Sequence, residues 1–160
     1  MSDEALLRLE FRACPLDEAP AAPLVEQMRR EMAELYGGLD IDNARMPRAG
    51  ATELGPPDGV FIVGFEHGVA VCCGGIKQLP DGACEIKRMF VTPTARGRGV
   101  ARALLGELER RARGLGYAVA RLDTGPLQTR ARLIYERAGY EPVGNFNSNP
   151  VATYFGEKRL

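Results

Sequence analysis

Apolar and polar positions alternate with two different periods along this chain, and the switches between them outline its elements. Leu6 to Phe11 alternates apolar with charged residues, as a half-buried first strand does. Asp17 to Tyr36 follows with Leu24, Met28, Met32 and Leu35 on one stripe, a helical spacing, with Pro20 and Pro23 near its first turn and Gly37-Gly38 at its end. Residues 39–59 hold no sustained period and read as a loop with one short helical turn or as a flexible lid. Val60 to Glu66, Val69 to Leu79 and Ala83 to Val91 are three strands joined by His67-Gly68 and Pro80-Asp81-Gly82, that is, successive hairpins. Gly74-Gly75 inside the second suggests a bulge or a close neighbour.

Thr92-Pro93-Thr94 stops the third of these strands, since proline brings no N–H to a ladder. From Val100 the helical period returns in Val100, Leu104, Leu108, Ala112 and Leu115, with Glu107–Arg111 and Glu109–Arg113 as i,i+4 pairs on the wet side. Tyr117 to Asp123 is a strand that a helical crossover should set parallel to its neighbour. Ala131, Ile134, Tyr135 and Ala138 form the inner face of another helix, capped by Gly139. Tyr140 to Val143 and Thr153 to Leu160 are the last strands, separated by the polar loop Asn145 to Pro150. This order predicts an α+β fold with a mixed, mostly antiparallel sheet.

Between the third hairpin strand and the long helix stands Arg96-Gly97-Arg98-Gly99-Val100-Ala101. A helix start carries N–H groups with no intrahelical partner and a partial positive charge. Glycines let a ligand approach the backbone, and the arginines add charge, so this turn suits a diphosphate. It is neither a Walker A loop nor a GxGxxG dinucleotide fingerprint.

Composition narrows the picture. With 160 residues the chain is expected to form a single domain over 1–160. Zero formal net charge argues against bulk electrostatic binding of nucleic acid. No stretch approaches a membrane span, and the acidic amino terminus lacks a signal-peptide pattern, so a cytoplasmic protein is expected. Cys14, Cys72, Cys73 and Cys84 show no CxxC spacing and read as small apolar residues, with no metal implied; Cys72 and Cys73 should face opposite sides of their strand. His67, the one histidine, reads as a surface turn residue.

The turn matches the [QR]xxGx[GA] acyl-CoA motif of the GNAT superfamily of N-acetyltransferases, and the chain resembles that superfamily from about Val60 to Leu160. The strand CEIKRMFV resembles its fourth strand. RLDTG followed by QTRARLIYERAGY resembles its fifth strand and fourth helix, and the carboxy-terminal segment is similar to uncharacterised bacterial-type members. The resemblance implies a GNAT-like fold with about six to seven strands and about four helices, and acetyl-CoA as co-substrate. It implies that strands four and five splay apart, leaving strand-four amides free for the cofactor. By position Met89 would serve the acetyl carbonyl and Val91 the pantetheine arm, within Met89-Phe90-Val91. Arg96, Gly97, Arg98, Gly99, Val100 and Ala101 would hold the diphosphate. Gln128, where the superfamily usually has asparagine, would add a contact.

Glu85, eleven positions ahead of Arg96, matches the catalytic glutamate of histone acetyltransferases in the superfamily and is the candidate base, directly or through a water. Its alternative is a solvent-facing partner of Lys87 or Arg88. Tyr135 matches the tyrosine near the cofactor sulfur and is the candidate acid, with packing against the pantetheine arm or in the core as its alternative. Tyr36, Asn43 and Arg45 are acceptor-site candidates, with a surface loop as their alternative. The reading is therefore an N-acetyltransferase acting on the primary amine of a small polar molecule. A non-catalytic cofactor sensor and a protein-lysine acetyltransferase are the alternatives, and a homodimer is expected by analogy.

Overall fold

The computed structural model describes residues 7–160, so Leu6, where the first predicted strand begins, lies outside it. Seven strands form one sheet in the order β1-β2-β3-β4-β5-β7-β6. They are β1 (Glu10–Ala13), β2 (Val60–Glu66), β3 (Val69–Gln78), β4 (Cys84–Val91), β5 (Val119–Thr124), β6 (Glu141–Pro142) and β7 (Tyr154–Arg159). Among the described residues three α-helices complete it, α1 (Ala21–Leu35), α2 (Val100–Gly114) and α3 (Thr129–Arg137), one fewer than the sequence suggests. Where a fourth helix had room, residues 39–59 run as turns, because their glycines, prolines and Asx residues satisfy the backbone locally.

The hairpins β2–β3 and β3–β4 are antiparallel, as expected from their turns. His67 and Gly68 both adopt positive φ, 49° and 77°, the signature of a type I′ hairpin turn, and His67 is exposed. β4 and β5 are joined through α2 and are parallel, the one such pair among the described residues.

Helix α1 covers one face of the sheet, and α2 with α3 the other. Leu104, Leu105 and Leu108 of α2 are fully buried against Ile62, Cys72, Ile76, Cys84 and Ile86. Each such leucine contributes roughly 1.5–3 kcal/mol by leaving water. On the opposite face Leu24, Val25 and Met28 of α1 meet Phe61, Val63, Cys73 and Phe90. Cys72 and Cys73 thus sit in different cores, and burial raises both thiols, Cys72 to about 12, which leaves them inert.

Two expectations about α2 change. Leu115 is 41% exposed, because it stands at the helix's C-cap rather than on its apolar stripe. Glu109 is not on the wet side: it is buried, accepts a hydrogen bond from Tyr140 Oη at 2.8 Å and pairs with Lys158 Nζ at 3.0 Å. Lys158, near the end of β7, meets Glu109 in place of Arg113. Glu107 does pair with Arg111, at 2.9 Å.

Candidate active site

The site begins at an irregularity in β4. The register passes from Cys73↔Phe90 to Gly75↔Lys87, so β4 carries one more residue than β3 over this span. The extra residue is on β4, not on the glycine pair of β3. Arg88 takes it up with φ 59°, an uncommon conformation for a residue with a side chain. Gly74 lies opposite, where a Cβ would stand 3.3 Å from Met89 Cγ and 3.0 Å from Leu108 Cδ1.

The bulge inverts the strand's alternation. Before it Cys84 and Ile86 face α2; after it Met89 and Val91 do, while Phe90 points to α1. It also bends β4 away from β5. The two strands share only Cys84↔Ala120 and Glu85↔Arg121 before they part, while β5 stays paired with β7 as far as Thr124↔Tyr154. Thr92 N–H bonds Val71 O, so antiparallel alternation turns the peptide of Phe90 toward β3. The peptides of Met89 and Val91 therefore face the gap. This is the splay the sequence resemblance implied. Phe90 itself contributes its ring to the α1 core, with the Arg96 guanidinium 5.6 Å above it.

The gap opens into a cleft of about 1070 Å³ lined by β4, the start of α2, α3 and the α1 side of the sheet. At its end stands the glycine turn. Gly97 and Gly99 have φ of 80° and 84°, which L side chains rarely adopt, and no atom lies within 4 Å of where a Cβ would be. Among the described residues no acceptor serves the N–H groups of Gly97 through Arg102. Val100 is buried and starts α2, with Ala101 beside it. This open, donor-rich corner fits a diphosphate.

The arginines of the turn behave differently from expectation. Arg98 reaches away from the cleft and forms a double hydrogen bond to Glu66, at 2.8 and 2.7 Å. Arg96 lines the cleft but donates to Val91 O at 2.9 Å and to Glu31 at 2.7 Å. Carboxylates from β2 and α1 thus neutralise both, and the backbone remains as the main anion donor. Sequence reasoning missed Arg102, Arg130 and Arg137. All three line the cleft, and among the described residues none has a carboxylate within ion-pair distance. Their signal in the sequence was only their place in the first turns of two helices and the end of one.

Tyr135 is buried on α3 with its hydroxyl 3.9 Å from Met89 Sδ, beside the gap. Burial raises its pKa far above the usual range, so it stays protonated. Glu85 is fully buried and does not line the cleft. Its Oε2 accepts from Asn147 Nδ2 at 2.7 Å and lies 3.2 Å from Lys87 Nζ, while Oε1 has no partner. Lys87 also lies 3.5 Å from Asp123 Oδ1, and Asn147 and Asn149 both donate to Asp123 Oδ2. Glu85 is thus paired with Lys87, as the alternative held, yet buried. Burial raises its pKa despite the nearby lysine, with Asp123 adding to the rise. Lys87, Asp123 and Asn149 are the members that reach the cleft.

The remaining candidates scatter. Gln128 lines the cleft, but its Oε1 accepts from Gly125 N–H and from Tyr36 Oη. Tyr36 also accepts Leu127 N–H at 3.2 Å and so ties the end of α1 to the loop before α3. Asn43 caps its own turn through Asp40 and Arg45, away from the cleft, and Arg45 lines neither cavity.

The profile of the Acetyltransferase (GNAT) family matches residues 24–140. The chain belongs to this family. It is an acetyltransferase of the GNAT type. It is 33% identical over 158 residues to the IAA acetyltransferase of Azospirillum brasilense, covering 93% of this chain and 95% of that one. It is 26% identical over 129 residues to an uncharacterised N-acetyltransferase, YjgM, of Escherichia coli, covering 76% and 77%. A solved Klebsiella pneumoniae protein described as an acyl-CoA N-acyltransferase superposes with a TM-score of 0.77 at 26% identity, over 95% of this chain and 97% of that one. The Thermoplasma acidophilum PaiA N-acetyltransferase, solved in complex with coenzyme A, shares the fold at a TM-score of 0.67 and 15% identity, over 96% of this chain and the whole of that one. Among the described residues no helix is long and apolar enough to cross a membrane, and no cluster of His, Cys, Asp and Glu could hold a metal ion.

Proposed function

We propose that this acetyltransferase transfers the acetyl group to the primary amine of a small molecule by direct attack within the β4–β5 gap. The observation that carries the reading is the bulge at Arg88, which turns two peptides of β4 toward a cleft that ends at an unpartnered helix start. The amides of Gly97 to Arg102 hold the diphosphate, with Arg102 and Arg130 adding charge. The peptides of Met89 and Val91 take the pantetheine arm as a strand would.

Acetyl-CoA supplies an activated carbonyl and a thiolate leaving group. The Met89 N–H stabilises the charge that gathers on the carbonyl oxygen. Tyr135, protonated at neutral pH, gives a proton to the departing sulfur. The proton lost by the amine enters the Lys87–Asp123–Glu85 cluster, where Glu85 acts from behind its neighbours rather than on the amine itself. Positioning supplies much of the remaining rate. The name of the Azospirillum relative makes IAA a compound to include among the acceptors tested.

The test is an acceptor screen that reads release of free CoA, run beside calorimetry with acetyl-CoA. Binding followed by CoA release with at least one amine is expected. Binding with silence across a broad amine set would replace this reading with that of a sensor.

A further inference from the structure

The acceptor half of the cleft has two kinds of wall. On the α1 side it is lined by Met32, Leu35, Leu39, Ile41, Met46 and Pro47, and the charged side chains beside them, Glu31 and Arg88, are each taken up in an ion pair, with Arg96 and Asp42. Its floor is different, since Lys87, Asp123 and Asn149 stand there with Glu85 behind them. Two carboxylates share one ammonium in that cluster, and Arg88 is already held by Asp42 at 3.2 Å and by Ile41 O. Asp123 therefore offers the floor a carboxylate whose Oδ2 is held by two neutral amides, largely out of water, where its attraction for an incoming ammonium is little screened.

The mouth repeats the pattern. The large apolar side chains the protein leaves exposed include Leu35, Leu127 and Leu133, at 39, 55 and 50%, and all three border this one cleft. Isolated exposed leucines are ordinary, but several converging on a concave site mark a surface that meets an apolar ligand. Methionine suits such a wall, since its unbranched thioether adapts to flat or irregular bodies.

We propose that the natural acceptor is an amphipathic amine, an arylalkyl or alkyl body with one primary ammonium, rather than the small polar amine the sequence suggested. The body lies on the wall from Met32 to Met46, and the ammonium enters last and meets Asp123. This assignment rests on the amine-acetyltransferase reading above. It makes Met32 and Leu39 specificity-determining, through contact with the body of the acceptor.

The test compares tryptamine and phenethylamine with ethanolamine and putrescine, each read by CoA release. The apolar-bodied amines are expected to show at least tenfold higher kcat/KM, mostly through KM. A second readout is independent of turnover: the chain contains no tryptophan, so the indole fluorescence of tryptamine should shift to the blue on titration with the protein without background. Met32→Gln and, separately, Leu39→Gln should raise KM for tryptamine at least fivefold, with acetyl-CoA affinity retained as the sign of an intact fold. Equal or better use of ethanolamine or putrescine would overturn the amphipathic assignment and leave the amine reading standing. Absence of CoA release with all four amines, with acetyl-CoA still bound and no fluorescence shift, would overturn both.

Discussion

The hydroxyl of Tyr36, at the end of α1, donates to Gln128 Oε1 at 3.3 Å and accepts the N–H of Leu127, so one side chain bridges the helix on one face of the sheet to the loop that opens α3. The two residues are far apart in the chain and were assigned to different halves of the site. In the structure they hold one another. Tyr36→Phe removes both hydrogen bonds and should cost about 1 kcal/mol of stability. The bridge borders the cleft, so KM for acetyl-CoA should rise as well. A melting curve with unchanged midpoint would show that the bridge bears no strain of folding.

Gly99 is the N-cap of α2 at φ 84°, with open space where a side chain would go. Gly99→Ala should cost on the order of 1 kcal/mol in backbone strain. The added methyl also projects into the region where the diphosphate is proposed to sit, so acetyl-CoA affinity by calorimetry should fall at least tenfold.

The arginines should separate in their effects. Arg102 lines the cleft without a carboxylate partner, whereas Arg98 is turned to Glu66. Arg102→Ala is expected to weaken acetyl-CoA binding about tenfold, near 1.4 kcal/mol. Arg98→Ala should change it less than threefold. The reverse order would mean that Arg98 leaves Glu66 when the cofactor arrives.

Tyr135→Phe should lower kcat by about ten- to a hundredfold with little change in acetyl-CoA affinity. Burial disfavours the phenolate, so the proton stays on Tyr135 throughout the neutral and mildly alkaline range. Any fall of kcat/KM with rising pH below about pH 10 therefore belongs to another group. The same fall in Tyr135→Phe as in the wild type would bear this out.

Glu85 offers a test through stability. Burial raises its pKa above the ordinary 4.5, so the folded state holds this proton more tightly than the unfolded chain does. That stabilisation is complete below about pH 4.5 and is lost as pH rises through the raised value. Glu85→Gln, which stays neutral, should therefore gain on the wild type between pH 4 and pH 8 in melting midpoint. A difference that shrinks over this range would place the charged form as the stable one.

Read alone, the order of periods already determined the strand succession, the hairpins, the parallel β4–β5 pair and the helix start after β4. Each follows from local rules: proline and glycine end elements, and side chains repeat every two or about 3.6 residues. The glycine turn was legible because its positive φ angles are demanded within six residues of chain. The tertiary structure alone decided which strand of the β3–β4 pair would bulge, since either could absorb the irregularity. It also decided where long charged side chains go. Glu31 and Glu66 take the arginines of the turn, Lys158 takes Glu109, and Lys87 screens Glu85 from the cleft. A flexible side chain goes to whichever partner the fold brings within about 3 Å, and that proximity is set by segments distant in sequence.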